Sequence, residues 1–362
     1  MRFITLLFFS ILISCSKPDH GILEIDVSEN FLELELSRIG KSSKIIRLKT
    51  SEPINNPTDI LITQSNIFLF DQNHSGILRK FDSNGNLLKK VGFYGDKMIP
   101  IDGITNFFVH LDTLYIAVNG ESIYSFDYDL NLNFSKKLPF KAGFILKIGE
   151  NYLMYNNRLT PEIPFRIFSI DSNEILKTSI SENKSNYNPY FKAYSPFASQ
   201  KGRTFTSFPF NDTIYIDFNE FNFVPFAKLN FGNRKFPDDF FEKVENGRQF
   251  YEKLSSSDAI SLHEGMHFAK GDLLIATVLH SLYNYPIVVD LNSSKAQIIS
   301  YFRDDMTTGL KVRNKSFADQ TQIVFGISGE TLKEQIENLK SEFKNSLPKD
   351  YQDYYYLLVV EI

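Results

Sequence analysis

Apolar residues in this chain fall in short runs, each entered from a polar turn and followed, after a gap, by a second run closing on an apolar residue and Asp or Asn. The first runs are Ile67-Phe68-Leu69-Phe70, Leu114-Tyr115-Ile116-Ala117-Val118, Tyr152-Leu153-Met154-Tyr155, Ile214-Tyr215-Ile216 and Leu273-Leu274-Ile275-Ala276. The second runs end at Phe81-Asp82, Phe126-Asp127, Ile170-Asp171, Leu229-Asn230 and Val289-Asp290. Runs this short, bounded by turn residues, read as strands. The landmarks are spaced by 127 − 82 = 45, 171 − 127 = 44, 230 − 171 = 59 and 290 − 230 = 60 residues. Repeats of that size are those of propeller blades, each a four-stranded antiparallel sheet.

The turns agree with the strands. Asp82-Ser83-Asn84-Gly85-Asn86 sets Asn-Gly, the strongest short hairpin signal, between two of them. A fourth strand follows in Leu87-Leu88-Lys89-Lys90-Val91 and in Glu174-Ile175-Leu176-Lys177-Thr178, more charged, as an outer edge should be. The last blade has inner strands in Ile323-Val324-Phe325 and Tyr355 to Ile362, and no sequence remains for its fourth. Lys44-Ile45-Ile46-Arg47-Leu48, ahead of the first repeat, is an unassigned strand that can supply it. The expectation is an all-β, six-bladed β-propeller over residues 44–362, its ring closed by pairing the N- and C-terminal strands so that two open sheet edges disappear.

Three long insertions interrupt the later blades. Ser181 to Thr204 is aromatic and loop-like. Pro237 to Leu254 and Gly329 to Ser346 have helical patterning, with Leu332, Ile336, Leu339 and Phe343 at helix spacing. Blades 1 and 2 lack such segments, so the extra mass should gather over one side of the disc.

The N-terminus carries a different signal. Met1-Arg2 is positive, Phe3 to Ile13 is a mostly apolar run of eleven residues, and Ser14-Cys15 follows. This is the length of a signal-peptide core and too short to span a bilayer. Cys15 is the one cysteine of the chain. The stretch Leu12-Ile13-Ser14-Cys15 resembles a bacterial lipobox, which implies cleavage before Cys15 and acylation of the new N-terminus. Residues 1–14 are then a lipoprotein signal peptide and 15–43 a lipidated N-terminus and spacer. Several acyl chains would hold the protein permanently, since each buried methylene contributes about 0.8 kcal/mol. Ser16, rather than aspartate, after the cysteine favours the outer membrane by resemblance to lipoprotein sorting rules.

Beyond the lipobox, the chain resembles the six-bladed β-propeller lipoproteins of Gram-negative bacteria, distant relatives of NHL-repeat propellers. The resemblance is carried by Ile45-Ile46-Arg47-Leu48-Lys49-Thr50, Phe68-Leu69-Phe70-Asp71 and the run from Phe81 to Gly92. It implies the propeller fold and an envelope location, and no agreed catalytic set. Phe93 to Pro100 stands where the family usually has a Gly/Pro-rich acidic loop.

Composition narrows the function. The 362 residues include 35 Phe, 18 Tyr and no Trp, with a formal net charge of −4. That mild acidity argues against nucleic-acid binding, which needs a clustered basic surface. With its single thiol acylated, the chain forms no disulfide and no cysteine-based metal site. His263-Glu264-Gly265-Met266-His267 matches the H-E-x-x-H zinc-peptidase pattern literally. That chemistry needs a helix to bring both imidazoles to one ion. Gly265 and the following Phe268-Ala269-Lys270-Gly271-Asp272 read instead as a strand ending in a turn, on which four residues would span about 13 Å. No metal site and no cofactor is expected. The Asp82–Asn86 segment fails as a calcium loop, because Leu87 and Phe93 stand where glycine and glutamate are required.

The remaining candidates are Tyr187, Tyr190, Phe191, Tyr194 and Phe197, an aromatic cluster suited to stacking on a sugar or anchoring a protein. The expected function is a lipid-tethered binding scaffold for a protein or glycan, contacting the membrane through Cys15. The alternatives are a hydrolase or lyase with its site in the propeller channel and, further off, a metallopeptidase using His263 and His267.

Overall fold

A computed structural model describes residues 21–362 except 56, 72–76, 93–103, 111, 119, 139–141, 149–150, 156–164, 170–173, 180–195, 201, 218–221, 238, 242–243, 314–315 and 319–320. The described residues open with β1 (Leu23–Glu35) and β2 (Ser42–Leu48), which both leave the order of the repeats. Blade 1 is β3 (Pro57–Ile62), β4 (Asn66–Asp71), β5 (Ile77–Asp82) and β6 (Leu87–Gly92). Blade 2 is β7 (Ile104–His110), β8 (Thr113–Val118), β9 (Ser122–Phe126) and β10 (Leu132–Lys137). Blade 3 is β11 (Phe144–Ile148), β12 (Asn151–Tyr155), β13 (Phe165–Ser169) and β14 (Glu174–Ser179). Blade 4 is β15 (Phe197–Gln200), β16 (Arg203–Ser207), β17 (Thr213–Asp217) and β18 (Val224–Asn230). Blade 5 is β19 (Ile260–Phe268), β20 (Leu273–His280), β21 (Tyr283–Asp290) and β22 (Lys295–Arg303), with the short β23 (Lys311–Val312) on the end of β22. Blade 6 is β24 (Ser316–Ala318), β25 (Gln322–Ser328) and β26 (Tyr355–Glu361), completed by β2. The first strand of each blade is innermost, and β24, β3, β7 and β11 follow one another around the centre.

The second strands read as unbroken apolar runs because both of their faces are buried. In blade 1, Ile67 and Leu69 pack toward blade 6 while Phe68 and Phe70 pack toward blade 2. Tyr152 and Met154 of blade 3 face blade 2, and Leu153 and Tyr155 face blade 4. Further clusters fill the contacts between blades 4 and 5 and between 5 and 6. Each blade therefore has a packed neighbour on both sides, which is what a closed six-membered ring demands. Closure runs through β2, whose residues pair with β26 without a break from Ser42 against Glu361 to Leu48 against Tyr355. The N- and C-terminal strands thus meet as the missing fourth strand requires.

The aspartates that mark the repeat cap turns. Asn84 and Asn86 donate their backbone N–H to Asp82 Oδ1 at 2.9 and 2.8 Å, and the Asn86 side-chain amide donates to Oδ2 at 2.7 Å. Asp127 does the same for Asn131, and Asp290 for Asn292 and Ser293. These hydrogen bonds hold all three carboxyls below their ordinary pKa, with the Asn86 side chain the main cause at Asp82, the Asn131 backbone at Asp127 and the Ser293 hydroxyl at Asp290.

Three expectations need correction. In blade 4, Ile214 to Ile216 lie on the third strand and Leu229-Asn230 end the outermost one, so the repeat is one strand out of phase there. The long spacing belongs after blade 4, in residues 231–259. Within the 15–43 stretch expected as spacer, residues 23–35 form β1. It pairs in parallel with β18 at Leu23–Asp26 and with β22 at Asp26–Glu35, joining the outer edges of blades 4 and 5. Finally, Leu332, Ile336, Leu339 and Phe343 do not share one helix. Two short helices, Gly329–Glu334 and Ser341–Ser346, flank a 3-10 turn at Ile336–Asn338. Leu339 and Lys340 are extended there, because Lys340 N–H donates to the Thr308 carbonyl at 2.9 Å instead of continuing a helix.

Candidate functional site

Strand direction decides where every connection emerges. In an up-and-down blade, first-to-second and third-to-fourth turns leave one face, while second-to-third turns and blade-to-blade links leave the other. The first group comprises short segments such as 63–65, 83–86, 269–272 and 291–294. The second includes 231–259 and 329–354. The two long connections among the described residues thus share one face.

The connection 231–259 builds a cap on that face. Its helix α1 (Gly247–Ser255) starts at Asn246, whose side chain accepts from Gln249 N–H at 3.1 Å while Gln249 Oε1 accepts from Glu245 N–H at 2.9 Å. This reciprocal cap satisfies two donors that the helix start would otherwise orphan. Phe250 and Leu254 turn inward and join Phe236, Phe240 and Val244 in a separate core. Phe236 and Phe240 lie 4.4 Å apart between centroids, and Phe210 from the blade 4 turn stands 5.7 Å from Phe250. Lys253 donates to the Phe240 carbonyl and sits 4.6 Å from that ring's centroid. Tyr251, on the flank of α1 with its ring centroid 5.3 Å from that of Phe250, is 48% exposed. The helical pattern of Pro237 to Leu254 was legible, but its aromatic core was not singled out. Phe236, Phe240, Phe241 and Phe250 within one insertion were the signal.

Behind the cap, Arg234 bridges three elements. It contacts Asp258 at 3.2 Å, lies 3.3 Å from the His280 ring nitrogens, and donates to the Glu29 carbonyl of β1 at 3.3 Å. A different buried charge sits at the blade 6–blade 1 junction, where Arg79 is paired with Asp71 at 3.1 Å. Asp71 also accepts from Asn55 N–H. Tyr355 is nearby, and burial, reinforced by the Asp71 charge, raises its pKa far above the usual phenol value. On the short-turn face at the same junction, a cavity of about 380 Å³ is lined by Lys41, Lys44, Thr63, Gln64, Gln322 and Glu361.

Of the residues singled out from sequence, Cys15, Tyr187, Tyr190, Phe191 and Tyr194 lie outside the described residues. Phe197 begins β15, is 6% exposed, and packs 5.9 Å from Phe144, 6.4 Å from Tyr155 and 6.3 Å from Phe223. It is a core residue between blades 3 and 4, not part of an exposed aromatic platform. His263 and His267 stand on β19, so the motif lies on a strand, as its context implied. Burial lowers the His267 pKa to about 4, which keeps the ring neutral near pH 7. Among the described residues, no cluster of three or more His, Cys, Asp or Glu side chains could hold a metal.

Comparison with known proteins fits this geometry. A family profile described as a 6-bladed beta-propeller matches residues 15–324. The chain belongs to that family, DUF5128. A solved structure of a Bacteroides fragilis protein, designated an exported protein, superposes with a TM-score of 0.70 at 16% identity, covering 94% of this chain and 100% of the other. A DUF4221 family member from Bacteroides vulgatus gives a TM-score of 0.54 at 10% identity, covering 90% and 98%. At these identities the likeness of the DUF5128 chain to both structures is one of fold. No curated protein matches it in sequence.

Proposed function

We propose that this DUF5128 propeller is a lipid-anchored binding scaffold of the cell envelope that offers its long-connection face to a protein or glycan. The observation that carries the reading is the asymmetry of the disc. The blades are complete without the long segments, and loops beyond about 12–15 residues in a compact domain are usually functional. Connection 180–196 holds Tyr187, Tyr190, Phe191 and Tyr194 in its sequence, and the cap formed by 231–259 exposes Tyr251. Aromatic side chains of this kind dominate interface cores.

The envelope location draws on the leader, on Cys15 at the lipobox position, and on the exported designation of the Bacteroides fragilis relative. Ser16 favours the outer membrane. Photo-cross-linking residues placed at Tyr251 and at Asn84, an exposed position on the opposite face, test the binding reading in cells. Discrete adducts from position 251 and none from 84 are expected, and the reverse pattern overturns it. The anchor is tested separately by Cys15→Ala, which should abolish fatty-acid labelling and release the protein from membranes.

A further inference from the structure

A regular strand would hold the α-carbons of His263 and His267 about 13 Å apart, too far for a shared ion. The observed register changes that distance. His263 is opposite Thr277 and Met266 is opposite Ala276, so residues 264 and 265 are looped out of the ladder; His267 is then opposite Ile275. Gly265, at φ 122°, supplies the backbone conformation that lets the bulge form. Thr277 and Ile275 are separated by two positions on β20, so the two histidines stand about 7 Å apart, the separation of alternate residues on a strand.

They also share a face. Ile260, Leu262, Met266 and Phe268 all enter the core between blades 4 and 5. Ser261, His263 and His267 therefore project from the other face of β19, toward blade 6 at the inner edge of the ring. That face is enclosed: Ser261 and His263 are each 1% exposed and stand opposite Leu279 and Thr277 of β20, with the buried Ile275 opposite His267. His267 Nε2 and Ser261 Oγ are buried without a hydrogen-bond partner. Buried polar atoms left in that condition are few in native proteins, and an ion or water is a common reason for them.

We propose that His263 and His267 form a two-imidazole site for one transition-metal ion, with copper the best match. Zinc in a structural or catalytic role takes at least three protein ligands, and no such cluster exists among the described residues. Two imidazoles with water completing the shell suit a borderline ion, and among divalent first-row metals affinity peaks at Cu(II). The site is one of binding. The helix that gives the H-E-x-x-H pattern its peptidase chemistry is replaced here by a bulged strand.

Titrating the full-length protein with Cu(II) tests this, read by visible absorbance and by the nitrogen hyperfine pattern in electron paramagnetic resonance. One ion per chain with two imidazole nitrogens is expected. His267→Gln should weaken binding about tenfold or more, a loss of about 1.4 kcal/mol or more, while melting of the metal-free protein changes little. His280→Gln, which alters a histidine on another strand, should bind as the parent does. Absence of saturable binding, a one-nitrogen spectrum, or undiminished binding by His267→Gln overturns the site. Because His263 is buried, His263→Gln serves as a second variant, scored only on the fraction that melts cooperatively.

Discussion

The two N-terminal strands are joined to the propeller in opposite ways. β2 enters blade 6 as an ordinary antiparallel fourth strand, paired at seven consecutive positions, with Ile46 and Leu48 buried in the blade 6–blade 1 core. β1 lies outside any blade. It is parallel to both neighbours, its register breaks between Ser28 and Phe31 and again between Leu32 and Glu33, and only Ile25 and Leu34 are fully buried. Each strand also docks on an aspartate-capped turn. Lys49 N–H donates to the Gly85 carbonyl at 2.7 Å, and Asp26 N–H donates to the Ser294 carbonyl at 3.1 Å. One strand completes a structural unit; the other staples two finished units along their rims. The first should be indispensable to the ring and the second a local reinforcement.

Deletion separates them most sharply. Removing 44–50 strips Ile46 and Leu48 and uncovers Tyr355, Leu357 and Val359. Each large core side chain lost contributes about 2–5 kcal/mol, so the total rivals the roughly 5–15 kcal/mol stability of a whole domain. The thermal midpoint should fall by at least about 15 °C, at roughly 2–4 °C per kcal/mol, or cooperative melting should vanish. Removing 23–35 should cost a few degrees to about 10 °C on the same scale and leave a cooperative transition. Equal losses in calorimetry would mean that β1 is as integral to the ring as β2.

Two glycines make the same comparison with a single methyl group. Gly85 has φ +80°, and a Cβ there would lie 2.2 Å from the Arg47 carbonyl oxygen of β2. Gly232, beside β1, has φ +56°, and its Cβ would meet nothing closer than Glu29 Oε1 at 3.6 Å. Gly85→Ala combines backbone strain with a collision against main chain and should destabilise by roughly 2–4 kcal/mol. Gly232→Ala carries only the left-handed backbone term, about 1 kcal/mol. Urea unfolding of the two variants reads the difference directly, and a larger effect at Gly232 would contradict the assigned roles of the two seams.

These seams also explain what the sequence disclosed. β2 was legible because a blade short of one strand creates a demand that Lys44–Leu48 could meet. β1 was not, since blades 4 and 5 are complete and nothing calls for another strand, even though Leu23-Glu24-Ile25-Asp26-Val27 alternates in the manner of one. The phase slip in blade 4 has a similar origin. Ile214-Tyr215-Ile216 has both faces buried although it is a third strand, so burial alone could not tell it from a second. At the candidate metal site, spacing gave the right element and the wrong distance, because the bulge at Gly265 shows only in the pairing. Phe197 was misread since an aromatic residue opening an inner strand looks the same in sequence as one ending a loop.

The smallest expected effects lie in the two turns on which the strands dock. Asp82 and Asp290 have depressed pKa values in the folded state, so their contribution is present above the unfolded value near 4 and is lost as pH falls through the lower folded value. Melting temperatures between pH 6 and pH 2.5 should therefore drop on the acid side, and part of that drop should be missing in Asp82→Asn and Asp290→Asn. The two variants should differ at pH 6. At Asp82 the Asn86 amide is a donor to Oδ2, and the opposite edge of Asn86 accepts from Lys49 Nζ at 2.9 Å. An asparagine amide at position 82 would face donor to donor, and flipping Asn86 to relieve that would break its link to the residue following β2. At Asp290 the partner on Oδ2 is the Ser293 hydroxyl, which can rotate and accept instead. Asp82→Asn should thus lower the midpoint by a few degrees, and Asp290→Asn by less. A pH profile unchanged by both substitutions would show that the capping carboxylates contribute nothing to either seam.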